Sequence, residues 1–286
     1  MPKARVFRPQ DLVNDADPVN LNEFFPALLA EGDSWFTLGG APARNLLEQL
    51  DFSTHAAVVN LAFPGDTAGN VASALRRIDA WASEFGSFVA DSAAYPFTAI
   101  LLSGGGNDLI DAIPHLLKAG FDFNALDAAG VAGALDPAAV ATFDDYMRRS
   151  FTGVVDFVRT HGGPNASLPI FCHTYDYPTP NDAPAMFAGV RVGQSWMRPR
   201  LLEKSVPERL WVPLADHLVR HLADVLGSLN LPDLHVVRTL DTCARAQSGV
   251  TGESGDWDNE IHPNKAGYKK LARKLSAAIS AELGIQ

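Results

Sequence analysis

Short apolar runs, broken by glycine, proline and acidic residues, recur along this chain. Five of them, at 27–30, 55–62, 97–103, 168–173 and 234–240, show no steady alternation of polar and apolar positions. A strand solvated on one face alternates; a strand covered on both faces does not. The runs therefore predict buried parallel strands. Between them the period lengthens to that of a helix. Val71, Leu75 and Ile78 fall on one face of a helix predicted over 67–85. Asp136 and Pro137 supply an N-cap and a first-turn proline for a helix running to about 160, which carries Val140, Phe143, Met147, Val154 and Phe157. Further helices are expected at 207–229 and 264–283. This alternation predicts an α/β fold, a doubly wound sheet with right-handed crossovers, and one domain over 1–286.

Composition narrows the class of partner. A chain of 286 residues with 47% apolar and 20% charged residues can bury a full core. Its formal charge of −10 speaks against nucleic acid, because binding phosphates requires a positive surface. The basic run at 265–274 reads as the solvated face of the last helix. No stretch approaches the ~18 apolar residues of a membrane span. Nor does a secretory signal pattern appear, so the cytoplasm is the default expectation. Cys172 and Cys243 lack partner spacing and are expected to be free thiols.

Two stretches interrupt the strand–helix rhythm, 120–135 and 175–203. The second follows the fourth strand, at the edge where open α/β sheets bind ligands, and is expected to form a lid or pocket wall. It carries Met186, Phe187, Trp196 and Met197, with Arg191, Arg198 and Arg200 among them.

Polar residues cluster where the strands end. After the first come Gly32, Asp33, Ser34 and Trp35. After the second come Phe63, Pro64, Gly65, Asp66 and Thr67, where Gly65 lets a backbone N–H approach a ligand. Gly104, Gly105 and Gly106 follow the third and make a turn that presents the Asn107 amide, a neutral donor for a developing oxyanion. His262 precedes Pro263 and Asn264 at the start of the last helix. A serine hydroxyl needs a base to become nucleophilic, and histidine serves near neutral pH. Trp35, His173, Tyr175 and Tyr177 are candidate pocket walls by location, with core packing the competing role. His217 and His221 stand at i, i+4 but read as a plain helix face, and no metal or organic cofactor is expected.

Four of these segments resemble the blocks of the SGNH (GDSL) hydrolase family, in order and across nearly the whole chain. They are Gly-Asp-Ser-Trp at 32–35, Phe-Pro-Gly-Asp-Thr at 63–67, Gly-Gly-Asn-Asp at 105–108 and Glu-Ile-His-Pro-Asn at 260–264. The resemblance implies a three-layer α/β/α sandwich, flavodoxin-like, around a five-stranded mostly parallel sheet. It implies Ser34 as nucleophile and His262 as general base. The oxyanion hole would come from the Ser34 and Gly65 N–H groups and the Asn107 amide. The implied activity is hydrolysis of small carboxylic esters through an acyl-enzyme; acyl transfer to an alcohol, or ligand binding without catalysis, are the alternatives. One position departs from the family pattern. Where an aspartate usually stands three residues before the histidine, this chain has Asn259. Three groups can then orient His262: Asn259, Asp258 by a register shift, or a backbone carbonyl, with Asn259 first among them.

Overall fold

The computed structural model describes residues 1–12, 19–37, 45–69, 88–89, 97–187 and 190–286. Six parallel strands form the central sheet: β1 (Arg5–Phe7), β2 (Ala27–Gly32), β3 (Ala57–Asn60), β4 (Ala99–Ser103), β5 (Ile170–His173) and β8 (Leu234–Val237). Their spatial order is β1-β3-β2-β4-β5-β8. The sheet thus has six strands and not the five expected. The added strand, β1, is three residues at the edge with only Phe7 buried, too short and too polar to register as an apolar run. Without it the order is that of a flavodoxin-like sheet. Its switch point falls between β2 and β4, where the chain reverses direction across the sheet and leaves a crevice at the carboxyl ends.

The central runs are apolar because both faces are covered. Ala27–Ala30, Ala57–Val59 and Ala99–Leu101 are fully buried. Strand β8 differs: as an edge strand with one neighbour, its four residues are only half-buried. Two antiparallel strands, β6 (Ala185–Phe187) and β7 (Val190–Val192), form a separate hairpin.

Helices α1 (Pro9–Leu12) and α2 (Ser34–Thr37) are single turns. The larger ones are α3 (Gly106–Leu116), α4 (Pro137–His161), α5 (Met197–Glu203), α6 (Trp211–Gly227) and α7 (Lys265–Leu283). Helices α3, α4 and α6 pack on one another, while α7 lies against β5 and β8, so helices flank the sheet. Asp136 caps α4 as its spacing predicts, accepting from the N–H groups of Ala138 and Ala139 at 2.9 and 3.3 Å. Asn264 does the same for α7 at Ala266 and Gly267. Most of the helix expected at 67–85, with Val71, Leu75 and Ile78, lies outside the described residues. Helix α3 was not expected, because its glycine-rich entry and internal Pro114 conceal its apolar face.

Candidate active site

Ser34 opens α2 directly after β2, and Asn107 lies in the first turn of α3 directly after β4. Both therefore sit at the switch point. The close approach of the two strands depends on Gly32, paired in register with Ser103. Its φ is +151°, and a Cβ there would lie 2.3 Å from the Ser103 carbonyl oxygen. No larger residue fits.

His262 reaches this edge from the far end of the chain. Its Nε2 is 2.8 Å from Ser34 Oγ, and its Nδ1 is 2.9 Å from Asn259 Oδ1. The same Asn259 oxygen accepts the backbone N–H groups of Ile261 and His262, at 3.2 and 3.0 Å. An atom that receives two backbone donors is a carbonyl oxygen, so Nδ1 carries the hydrogen and Nε2 is left bare to accept from the serine. That is the tautomer a general base needs. Of the three expected orienting groups it is thus Asn259 that meets Nδ1, while the Asp258 backbone N–H donates to the His262 carbonyl at 2.9 Å. Burial pushes the His262 imidazolium down to about 3, and asparagine brings no charge to oppose that shift.

Below the serine lies a second buried chain of polar groups. Tyr175 N–H donates to His173 Nδ1 at 3.3 Å, which leaves the proton on Nε2. Nε2 then donates to Ser103 Oγ at 2.8 Å, and the Ser103 hydroxyl donates to Asp33 Oδ1 at 2.7 Å. The Tyr175 hydroxyl reaches Asp33 Oδ2 at 2.5 Å, and the Trp35 N–H reaches Oδ1 at 3.0 Å. Asp33 is fully desolvated, which raises it to about 6 against the pull of Tyr175, Ser103 and Trp35. His173, buried without a charged partner, falls to about 3. The Trp35 indole stacks on His173, with centroids 5.2 Å apart, and donates to the Ile261 carbonyl at 3.1 Å. Trp35 thus ties the serine turn to the histidine loop.

Asn107 donates one amide hydrogen to the Asp66 carbonyl at 2.8 Å. Its second N–H is available to a ligand. The next residue, Asp108, accepts from the Ala68 N–H at 2.8 Å and the Tyr146 hydroxyl at 2.7 Å. Asn107 and Asp108 together clamp the segment that carries Gly65, whose φ of +87° suits glycine. Burial raises Asp108 above the ordinary carboxylate range.

Two spaces meet at Asn107. One is a small, half-open apolar cavity of about 40 Å³, lined among others by Ser34, Asn107, Leu109, Met197 and Leu222. The other is a larger, more polar cleft of about 390 Å³, lined among others by Gly65, Asn107, Trp196 and Arg200. Of the four wall candidates, Trp35 and Tyr175 line the cavity. His173 and Tyr177 line neither space. His173 sits behind the wall in the Asp33 network, and the Tyr177 hydroxyl accepts from Arg220 Nε at 3.1 Å.

The stretch 175–203 is neither irregular throughout nor exposed throughout. Residues 175–181 are buried. Asp176 allows this by accepting from the N–H groups of Tyr177, Asp241, Thr242 and Cys243 at 2.7–2.9 Å. Sequence reasoning missed Glu260, which does the same for the entry to α5. Its carboxylate accepts from the N–H groups of Asn181, Met197 and Arg198 at 3.3, 2.7 and 2.8 Å, and from that of Trp196. This holds the Trp196 ring edge-on to His262, with centroids 5.0 Å apart. Nothing local announces such a tie, since its partners lie more than sixty residues away. Burial outweighs the four donors and raises Glu260 to about 7.

His221 Nε2 lies 2.6 Å from Asp144 Oδ1. Among the described residues, no group of three or more His, Cys, Asp or Glu side chains is placed to hold a metal ion. No described helix is long and apolar enough to cross a membrane. Both cysteines are free.

No family model and no curated protein matches the chain. Solved structures with a similar course of the chain include a Bacteroides ovatus protein described as a GDSL-like lipase, at 13% identity and a TM-score of 0.48, covering 92% of this chain and 55% of that one. Another is a salicylyl-acyltransferase from a tetracycline biosynthetic pathway, at 16% identity and 0.43, covering 91% and 56%. This chain spans about half the length of those two proteins. An esterase of Pseudoalteromonas is similar over 91% of this chain and 99% of its own, at 15% identity and 0.42. Apart from the added β1, the sheet has the flavodoxin-like order that the four-block resemblance implied.

Proposed function

We propose that this chain is a serine esterase of SGNH type, hydrolysing carboxylic esters through an acyl-enzyme. The observation that carries the reading is the relay from Ser34 Oγ to His262 Nε2 and from Nδ1 to Asn259, at 2.8 and 2.9 Å, beside an apolar cavity. Ser34 Oγ attacks the ester carbonyl while its proton passes to His262 Nε2. The carbonyl oxygen becomes an oxyanion, met by the N–H groups of Ser34 and Gly65 and the free N–H of Asn107. A lost donor of this kind typically costs about 2.7–4 kcal/mol. As the tetrahedral intermediate collapses, His262 returns the proton to the departing alcohol oxygen. Water then attacks the acyl-enzyme, gives its proton to His262, and the acid leaves with Ser34 reprotonated. An alcohol in place of water would make the same residues an acyltransferase, and product analysis with competing alcohols separates the two.

The test is hydrolysis of p-nitrophenyl acetate by the wild type, Ser34→Ala and His262→Ala. We expect each variant to lose at least about 10³-fold in kcat with folding intact, since members of such a relay act as a unit. Undiminished hydrolysis by folded Ser34→Ala would overturn the mechanism.

A further inference from the structure

The two spaces that meet at Asn107 differ in size and polarity, and their positions relative to Ser34 and Trp196 assign them to the two halves of an ester. The base has to reach both Ser34 Oγ and the departing oxygen, so the alcohol leaves on the histidine side. That side is the cleft: Trp196, which packs on His262, forms its wall together with Gly65 and Asn107. Gln194, Asp111 and Arg200 line the same cleft, and Arg200 pairs with Asp111 at 2.9 Å. The small cavity, lined by Ser34 itself and not by Trp196, is left for the acyl chain.

We infer, on the serine-esterase reading above, that this cavity is an acyl pocket for short chains, walled by Leu222 and Val219 of α6 and Met197 of α5, with a bulkier alcohol in the cleft. By the same measure its volume, about 40 Å³, is about a tenth of the cleft's about 390 Å³, so it takes the smaller half of the ester, with the carbonyl carbon at Ser34. This part of the wall does not yield readily. Leu222, Val219 and Met197 are 1%, 5% and 2% exposed, and behind them α6 packs on α3 and α4. A longer chain would have to displace close-packed core. The cleft, by contrast, lies within the usual size range for a small-molecule site of about 300–1,000 Å³. None of the three wall residues belongs to the four sequence blocks.

The experiment compares kcat/KM for p-nitrophenyl acetate, butyrate, hexanoate and octanoate in the wild type, Leu222→Ala, Val219→Ala and Leu222→Phe. A ratio of two substrates on one sample does not depend on the fraction folded, which keeps the test sound if a core variant is destabilised. The wild type should be fastest on acetate or butyrate and at least about tenfold slower on octanoate, given the worth of a misfitting methylene. Leu222→Ala and Val219→Ala should raise the hexanoate-to-acetate ratio about tenfold, and Leu222→Phe should lower the butyrate-to-acetate ratio by a similar factor. Wild-type preference for octanoate, or ratios unmoved in all three variants, overturns the acyl-pocket assignment while the esterase reading stands. Absence of Ser34-dependent hydrolysis of every ester overturns the esterase reading and this assignment with it.

Discussion

Asn259 collects three hydrogen bonds on one side-chain oxygen, from His262 Nδ1 and from the N–H groups of Ile261 and His262. The geometry an aspartate would give is therefore already present, and what is missing is charge. A neutral orienter fixes the tautomer but does not stabilise the imidazolium, in line with the depressed His262 value of about 3. Asn259→Asp would keep all three acceptances and place a carboxylate against the ring. We expect it to move the acid limb of kcat/KM to higher pH, because the charged form of His262 gains a partner, and to hold or raise esterase activity at pH 8. Asn259→Ala frees the ring to rotate and to take either tautomer; a loss of at least about 10²-fold is expected. The pH profiles of kcat/KM for the two variants check this. An acid limb that stays in place in Asn259→Asp would show that the ring does not report on position 259.

At the scale of elements, the site is a set of strand ends held together by buried carboxylates. Asp33 holds the serine turn, Asp108 the Gly65 segment, Asp176 the loop after β5 and Glu260 the entry to α5. Each carboxylate satisfies backbone N–H groups that no strand or helix would otherwise pair, which is how irregular chain comes to be buried here. Glu260→Ala leaves four such donors without their acceptor, and a buried donor left unpaired costs about 1–3 kcal/mol. We expect a lowered melting temperature and, in the folded fraction, a raised KM, because Met197 lines the small cavity and Trp196 the cleft. A raised melting temperature or an unchanged KM would show that α5 is held by other contacts. The contrast with the four sequence blocks explains what could be read without coordinates. Ser34, Gly65, Asn107 and His262 each stand in a short local pattern beside a strand end or helix start, so spacing along the chain exposes them. The Asp33–Ser103–His173 network, the Glu260 tie and the back wall at Leu222 join residues tens to hundreds of positions apart, and their local surroundings look like ordinary core. Strand β1 and helix α3 were concealed for a different reason. Three residues are too few to show a period, and a glycine run with an internal proline suppresses the helical signal.

Over the whole molecule, burying acids and bases together around one site sets opposing pH dependences. His173 and His262 have folded values near 3, below the ordinary 6.5, so their contribution is complete above about pH 6.5 and is lost as pH falls toward 3. Asp33 and Glu260 have folded values of about 6 and about 7, above their ordinary range. Their contribution is complete below about pH 4 and is lost as pH rises through those values. Between about pH 5 and 6 the unfolded chain holds two histidine protons that the folded chain lacks, and the folded chain holds two carboxyl protons that the unfolded chain has released. These terms offset each other. Removing one carboxyl breaks the balance, and Glu260→Gln does so while keeping a carbonyl acceptor in place. As pH is lowered from 7 to 5, the stability of the wild type relative to Glu260→Gln should grow by about 2 kcal/mol in all, because the folded carboxyl takes up its proton across this range while the unfolded one stays ionised. Urea denaturation of both proteins at pH 5, 6 and 7 measures this difference directly, and groups that titrate equally in both cancel from it. A difference that shrinks toward pH 5 would mean that the four backbone donors outweigh burial and hold Glu260 ionised; a constant difference would mean that folding leaves its titration unchanged.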